Sequence, residues 1–381
     1  MASSTQAGQA RRHFLLAAFG ASLLLAGCQT GRRGPVGPSR PEPQGPAVPT
    51  ERNLVAVIVP TSGSDGAIGQ SIANAANLAL ADSREQSLRI TTYDSAGAGG
   101  AAAATRRALD DGARLILGPL LAEDVRAAAP IARRADVPVI AFSNDEGVAG
   151  DGVYIMGFTP TQSIGRVVAE ARATGRANFA ALVPTGLYGQ RATQAMMAAV
   201  RRSGGRMTVV EQFNRSPAAA KAAAARLKGK GHFDAVLIAD SGRMAAIAAP
   251  ALPQAPKFMG TELWASDKTL GRTPALRGAW YAAAPDTRFN QLATRYRARY
   301  GKSPYRLASL GYDAVLLAVR SAKNWPVGRP FPARGLLDKS GFSGVDGNFR
   351  FGRDGIAERL LEVRQVTATG TTVVSPAARA F

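Results

Sequence analysis

The chain has 381 residues, with 47 Lys and Arg against 27 Asp and Glu for a formal charge of +20, one cysteine and two histidines. One cysteine excludes an internal disulfide, and so few Cys and His residues exclude a Cys/His metal centre. The charge favours anionic partners, yet the basic residues are mostly arginines dispersed among Ala and Gly, without the basic and aromatic stripe on which nucleic-acid bases stack.

Arg11 and Arg12 precede an apolar run from Phe14 to Leu25 that ends in Leu25-Ala26-Gly27-Cys28, the layout of a secretory signal peptide over residues 1–27. The run's 12 residues fall short of the ~20 needed to span a bilayer core. The closing tetrad resembles the lipobox of bacterial lipoproteins, which implies acylation of Cys28 and cleavage just before it. Each buried CH₂ of an acyl chain contributes ~0.8 kcal/mol, so a multiply acylated Cys28 makes a stable membrane anchor. Arg11-Arg12-His13-Phe14-Leu15 also resembles a twin-arginine signal, and both export routes stay open. The leader takes two arginines and no acid with it, leaving a formal +18. Export removes nucleic acid as a partner and leaves anionic cell-wall polymer as a candidate. Residues 29–52 hold six prolines and four glycines without apolar periodicity; with Cys28 they read as a tether. At ~3.1 Å per residue it reaches at most about 75 Å. Gln29 stands where inner-membrane lipoproteins commonly carry aspartate, so the resemblance implies an outer-membrane anchor facing the periplasm.

From Asn53 onward, β-branched runs alternate with Ala-rich stretches, the pattern of βαβ units around parallel sheets. Residues 54–59 predict the first strand. Residues 67–81 follow with apolar positions at Ile68, Ile72, Ala75, Ala76 and Ala79, a helical spacing. Strands are predicted at 88–93, 115–117 and 137–142, with helices at 100–111 and 121–135. A second series starts near Val153, with strands at 179–183, 207–213, 235–238 and 257–259 and helices at 161–174, 188–203, 217–229 and 242–250. The 329 residues after the tether exceed what one core usually supports, so two domains are expected.

Val59-Pro60-Thr61-Ser62-Gly63, then Gly69 and a helix ending Ala79-Leu80-Ala81, resembles the opening of the type I periplasmic binding proteins of the leucine-binding class. Phe289, Tyr296, Tyr300-Gly301 and Pro304 follow in that class's order, then Gly311-Tyr312-Asp313-Ala314-Val315, Phe342-Ser343-Gly344-Val345-Asp346-Gly347 and Phe351-Gly352-Arg353-Asp354-Gly355. The resemblance implies an α/β fold of two Rossmann-like lobes with parallel sheets, joined by three crossovers. Lobe one would take residues 53–157 and about 283–325, lobe two residues 158–282 and about 326–375.

In such sheets ligands sit beyond the carboxyl ends of strands. That points to the loops at 61–67, which carries Ser62 and Ser64, and at 118–123, 143–146, 184–190, 240–242 and 260–264. Amino-acid binders of this class hold the ligand carboxylate with hydroxyls and amides of lobe one and its ammonium with an acid of lobe two. The resemblance assigns Ser143, with Asn144 beside it, to a hydroxyl position, Tyr188 to the aromatic cap, and Asp240 or Glu262 to the ammonium. Where transporter-type binders place a small hydroxyl residue after Gly-Pro, however, this chain has Gly118-Pro119-Leu120-Leu121. Leucine cannot donate a hydrogen bond, and its bulk occupies space a carboxylate needs.

Residues 116–125, followed by Val137-Pro138-Val139-Ile140-Ala141-Phe142-Ser143-Asn144, resemble the penicillin-binding protein activator family, the LpoA or LppC type. That resemblance implies an outer-membrane lipoprotein that stimulates a peptidoglycan synthase by protein contact, without cofactor or metal. The alternative is a solute-binding lipoprotein of an importer for amino acids or peptides.

Enzymatic readings find little support. His13 leaves with the leader, and His232 falls at a helix-to-strand turn opposite the expected cleft. No Gly-x-x-x-x-Gly-Lys-Ser/Thr loop exists, and Gly97-Ala98-Gly99-Gly100 lacks the third glycine of the dinucleotide fingerprint. Asp65, Asp145, Glu146, Asp240 and Glu262 come from cleft-facing loops, as paired acids for glycoside cleavage would, but carboxylates are common in such loops. A binding module rather than an enzyme is the expectation.

Overall fold

The computed structural model describes residues 52–381; the expected leader, Cys28 and the tether up to residue 51 lie outside them. The first strand, β1 (Asn53–Val59), is buried along its whole length and apolar from Leu54 onward, as befits a strand covered on both faces. Leu54, Ala56 and Ile58 enter one core cluster and Val55, Val57 and Val59 another, the two-residue alternation of a strand. Around it form β2 (Leu88–Asp94), β3 (Ala113–Leu117), β4 (Val139–Ala141) and β5 (Val153–Ile155), a parallel sheet in the order β2-β1-β3-β4-β5. Val153 therefore closes the first sheet and does not open a second series.

Helices α1 (Gly66–Ser83), α2 (Gly100–Asp110) and α3 (Ala122–Arg134) cover this sheet. The turn from β1 into α1 needs Gly69, because a Cβ there would stand 1.8 Å from the carbonyl oxygen of Pro60.

The chain then builds α4 (Pro160–Ala173), β6 (Asn178–Pro184), α5 (Leu187–Arg202), β7 (Arg206–Phe213), α6 (Pro217–Leu227), β8 (Ala235–Ile238), α7 (Gly242–Ala248), β9 (Lys257–Gly260) and β10 (Trp280–Ala283). It returns to the first lobe for α8 (Thr287–Tyr300) and α9 (Ala308–Ala322) and for a small antiparallel sheet of β11 (Phe342–Gly344), β12 (Gly347–Phe351) and β13 (Ala357–Arg359). The antiparallel strands β14 (Glu362–Val366) and β15 (Thr371–Ser375) complete the second sheet, ordered β15-β14-β10-β9-β8-β6-β7.

The expected allocation of residues 326–375 to lobe two needs correction. Trp325, Phe331, Leu336, Phe342, Phe349, Phe351 and Ala357 all enter the first lobe's core with Val55 and Leu117. Tyr154 of β5 meets the Phe351 ring edge-on at 5.4 Å, and Ile155 bridges Ile356. Only β14 and β15 belong to lobe two. Aromatic rings of the tail find their burial on the first lobe, and sequence order alone carries no such information.

Three crossovers join the lobes, between β5 and α4, β10 and α8, and β13 and β14. Arginines tie them. Arg359 donates to the Met156 carbonyl at 2.5 Å, and Arg364 donates to the Ala284 carbonyl at 2.7 Å while pairing with Asp286 at 2.5 Å and Glu362 at 2.7 Å.

Helix α9 lies on α1 closely enough that a Cβ on Gly311 would come within 2.4 Å of the Ile72 carbonyl oxygen. Gly311→Ala is therefore expected to cost about 1–3 kcal/mol by forcing the helices apart, read as a lower denaturant midpoint with an unchanged slope.

Candidate functional site

The loops at the carboxyl ends of the two sheets meet across an interlobe cleft. Its inner part is a cavity of about 340 Å³. Leu120, Leu121, Phe142 and Asn144 line it from lobe one, and Ser163, Glu262 and Leu263 from lobe two. Phe158, Leu361 and Arg306 complete the wall near the crossovers. Leu120 also packs on the first lobe's core, so the leucine pair forms wall and support together. An outer hollow of about 780 Å³ adjoins it, sharing Asn144 and Leu263 and adding Tyr188, Arg191, Arg215, Asp240 and Arg243.

Two sequence-named acids reach the inner cavity, Asp65 from lobe one and, from lobe two, Glu262. One Glu262 carboxyl oxygen accepts from the Ser163 hydroxyl at 2.6 Å, the other from the Tyr188 hydroxyl at 3.0 Å. No cation pairs with it among the described residues. Burial raises its pKa above the ordinary carboxylate value, although the two hydroxyls oppose the shift. Burial and the adjacent Glu262 charge likewise raise Tyr188, whose hydroxyl also lies 2.9 Å from that of Thr261. The pair can receive a hydrogen-bond donor or a cation.

Asp240 is already engaged. Arg215 pairs with it at 3.0 Å, and the Ser241 backbone N–H donates to it at 2.7 Å. Tyr188 and Asp240 thus belong to the outer hollow.

Three candidate hydroxyls are not part of either lining. Ser143 is 1% exposed and accepts from the Asp145 N–H at 3.1 Å, closing its own loop. Ser62 donates to Asp94 at 2.6 Å, and Ser64 reaches Asp65 at 3.4 Å. The physical reason is the same for each: a short hydroxyl satisfies the nearest polar partner before it can face a cavity. Asp94 also accepts from the backbone N–H groups of Thr61 and Ala96. Although burial opposes it, the donors from Ser62, Thr61 and Ala96 hold this carboxylate below its ordinary pKa. The donors after β1 thus already serve a carboxylate of the chain itself.

Sequence reasoning missed an ion pair across the cleft. Asp145, 4% exposed, is gripped by Arg126 of lobe one at 2.5 Å and by Arg191 of lobe two at 3.2 Å. Its neighbour Glu146 accepts from Thr161 of α4 at 2.9 Å. Asp145 and Glu146, two of the acids expected on cleft-facing loops, thus hold the lobes together. A usable signal existed, since Arg126 and Arg191 lie near the N-terminal ends of α3 and α5, where the helix dipole disfavours cations unless an acid stands close. Among the described residues no group of three or more His, Cys, Asp or Glu is placed to hold a metal ion.

Two mainly parallel sheets, three crossovers and a cleft at the carboxyl ends of the strands define the two-lobed binding-protein class. A family profile described as periplasmic binding protein matches residues 54–371, and the chain belongs to that family. The fold is similar to a putative branched-chain amino acid transporter protein from Rhodospirillum rubrum, at 21% identity and a TM-score of 0.71 over 85% of this chain and all (100%) of that one. It is also similar to a leucine-binding protein from Thermotoga maritima, at 19% identity and a TM-score of 0.65 over 85% and 98% of the two chains. A solute-binding protein from Rhodopseudomonas palustris in complex with 3,4-dihydroxybenzoic acid gives 18% identity and a TM-score of 0.66 over 87% and 97%. An uncharacterized protein of Rickettsia prowazekii is 24% identical over 165 residues, 43% of this chain and 44% of that relative.

Proposed function

We propose that this chain is a periplasm-facing lipoprotein, anchored in the outer membrane through Cys28 and the tether, that activates a peptidoglycan synthase of the penicillin-binding protein class by direct contact. The observation that carries the reading is Leu120 and Leu121 on the cavity wall. They place alkyl groups where a receptor for free amino acids needs hydrogen-bond donors for a carboxylate. Two further features support it: the donors after β1 already serve Asp94, and Arg191 ties the lobes through Asp145. In this reading the fold serves as a scaffold without catalysis, cofactor or metal, and the formal +18 left after the leader is removed suits an anionic wall polymer nearby.

The test pairs two measurements on the full chain. Added to a purified bifunctional penicillin-binding protein acting on its lipid-linked disaccharide-peptide precursor, the chain should raise the polymerisation rate. Calorimetry with leucine, isoleucine and glutamate should give no heat of binding at micromolar concentrations. An unchanged rate together with micromolar binding of an amino acid overturns the proposal.

One observation favours a second reading, a solute receptor for an importer. Glu262 presents a carboxyl without a cation to a cavity of about 340 Å³, large enough for a small amine. The relatives of that fold include transporter proteins. If this reading holds, Glu262→Gln abolishes binding of the amine identified by calorimetry.

A further inference from the structure

At the end of lobe two remote from the cleft lies a second concavity, of about 750 Å³. It is formed by the chain leaving α4 and by the loops that lead into β8, β9 and β10, all at the amino ends of parallel strands. Arg176, Lys228, Lys257 and Arg277 line it, with Asp234 as its one acid. Asp234 is taken: the Ala177 and Asn178 backbone N–H groups donate to it at 2.9 and 2.8 Å, and the His232 ring stands 2.9 Å away. None of the four cations has a carboxylate within ion-pair distance among the described residues. In the cleft, by comparison, Arg126, Arg191 and Arg215 are each paired.

Two of the four crowd one indole. The Arg176 guanidinium lies 4.9 Å and the Lys257 ammonium 4.5 Å from the Trp280 ring centroid. Burial, and then the Arg176 charge, push the Lys257 pKa below its ordinary value. Like charges held together without a counter-ion raise the energy of the empty arrangement, and an anion seated between them relieves it. A single carboxylate would neutralise one charge of four. Phosphate groups carry more charge and accept from both Lys and Arg donors, and the volume exceeds that of one phosphate.

We propose that this hollow binds a phosphate-type polyanion, a diphosphate or a phosphorylated headgroup, by the four cations Arg176, Lys228, Lys257 and Arg277. The site is separate from the cleft and independent of whether a synthase is the partner.

Two probes distinguish the sources: inorganic pyrophosphate by calorimetry, and flotation with vesicles of phosphatidylglycerol in phosphatidylcholine, scored against phosphatidylcholine alone, which an acyl anchor on Cys28 would enter whatever the hollow binds. The full chain is compared with Arg176→Gln/Lys257→Gln and with Arg106→Gln/Arg107→Gln, a pair exposed on α2 that lowers the net charge equally. Loss of a charge-assisted hydrogen bond from each of two donors should weaken binding at least about tenfold in the first pair, and the second pair should stay near the parent. Lys228→Glu, at an exposed position, repeats the test without touching the indole. Pyrophosphate binding points to a soluble phosphate, vesicle binding alone to a headgroup, and either supports the site if lost only in the hollow variants. Equal loss in both pairs, or binding of neither probe, overturns it.

Discussion

Arg359→Ala is expected to lower the unfolding free energy by about 2–4 kcal/mol, from the lost charge-assisted bond to the Met156 carbonyl, lost packing on two buried rings and a missing cation near two buried acids. Arg359 is 8% exposed, and its guanidinium sits 4.6 Å from the Phe158 ring and 5.0 Å from the Phe349 ring. Two buried carboxylates share its surroundings. Asp313 accepts from the Val345 and Asp346 N–H groups at 2.7 and 3.3 Å, while Asp346 pairs with Arg306. Burial, and then the nearby Asp346 charge, raise the Asp313 pKa well above its ordinary value, and the Arg359 charge works against that rise. A carboxyl raised on folding binds its proton more tightly in the native state. Its contribution to stability is therefore present at low pH and lost as pH climbs from the ordinary carboxylate range towards neutrality. Without Arg359 the penalty for ionising Asp313 grows, so the alanine variant should lose most stability at pH 8 and least near pH 5. Arg359→Lys keeps the charge and should recover part of the loss. A destabilisation below about 1 kcal/mol at pH 8, a value usual for ordinary surface replacements, would show that the crossovers hold without this residue. The lost bond to the Met156 carbonyl touches a crossover directly, so small-angle scattering should also register a wider range of lobe separations.

Most of the two lobes was legible because burial on both faces writes itself as periodicity. The runs that became β1, β6 and β8 are continuous and apolar, and the α1 stripe recurs at helical spacing. What stayed hidden was allegiance. Phe342, Phe349 and Phe351 alternate like strand residues whichever lobe buries them, so the tail's place on lobe one had to come from packing. The site divides in the same way. Leu120 and Leu121 were legible as cavity residues because the Gly-Pro before them ends a buried strand. Ser143 was misplaced because its loop partner, the Asp145 N–H, outcompetes any role in the cleft. The Arg215–Asp240 pair joins residues distant in the chain, and nothing in local spacing announces it; the Arg191–Asp145 pair was signalled only by an arginine near a helix N-terminus.

Trp264→Ala should remove about 3–5 kcal/mol, the range for emptying a buried aromatic site. The ring is fully buried (0% exposed) in the second lobe's core, 6.2 Å from the Tyr281 ring. It lies against bare backbone, since a Cβ on Gly260 would come within 2.1 Å of it. Its indole N–H donates to the Asp240 carbonyl at 3.0 Å. The same short turn, Glu262–Ser266, carries Glu262 into the cavity, so the ring supports one wall of the cleft from beneath. Trp264→Phe keeps most of the packing but leaves that carbonyl without this donor, and should cost about 1–3 kcal/mol. Denaturation should thus order the proteins parent, phenylalanine variant, alanine variant. If the phenylalanine variant matches the alanine one, the hydrogen bond and not the filled volume holds the turn. If both match the parent, the turn that presents Glu262 stands without its indole.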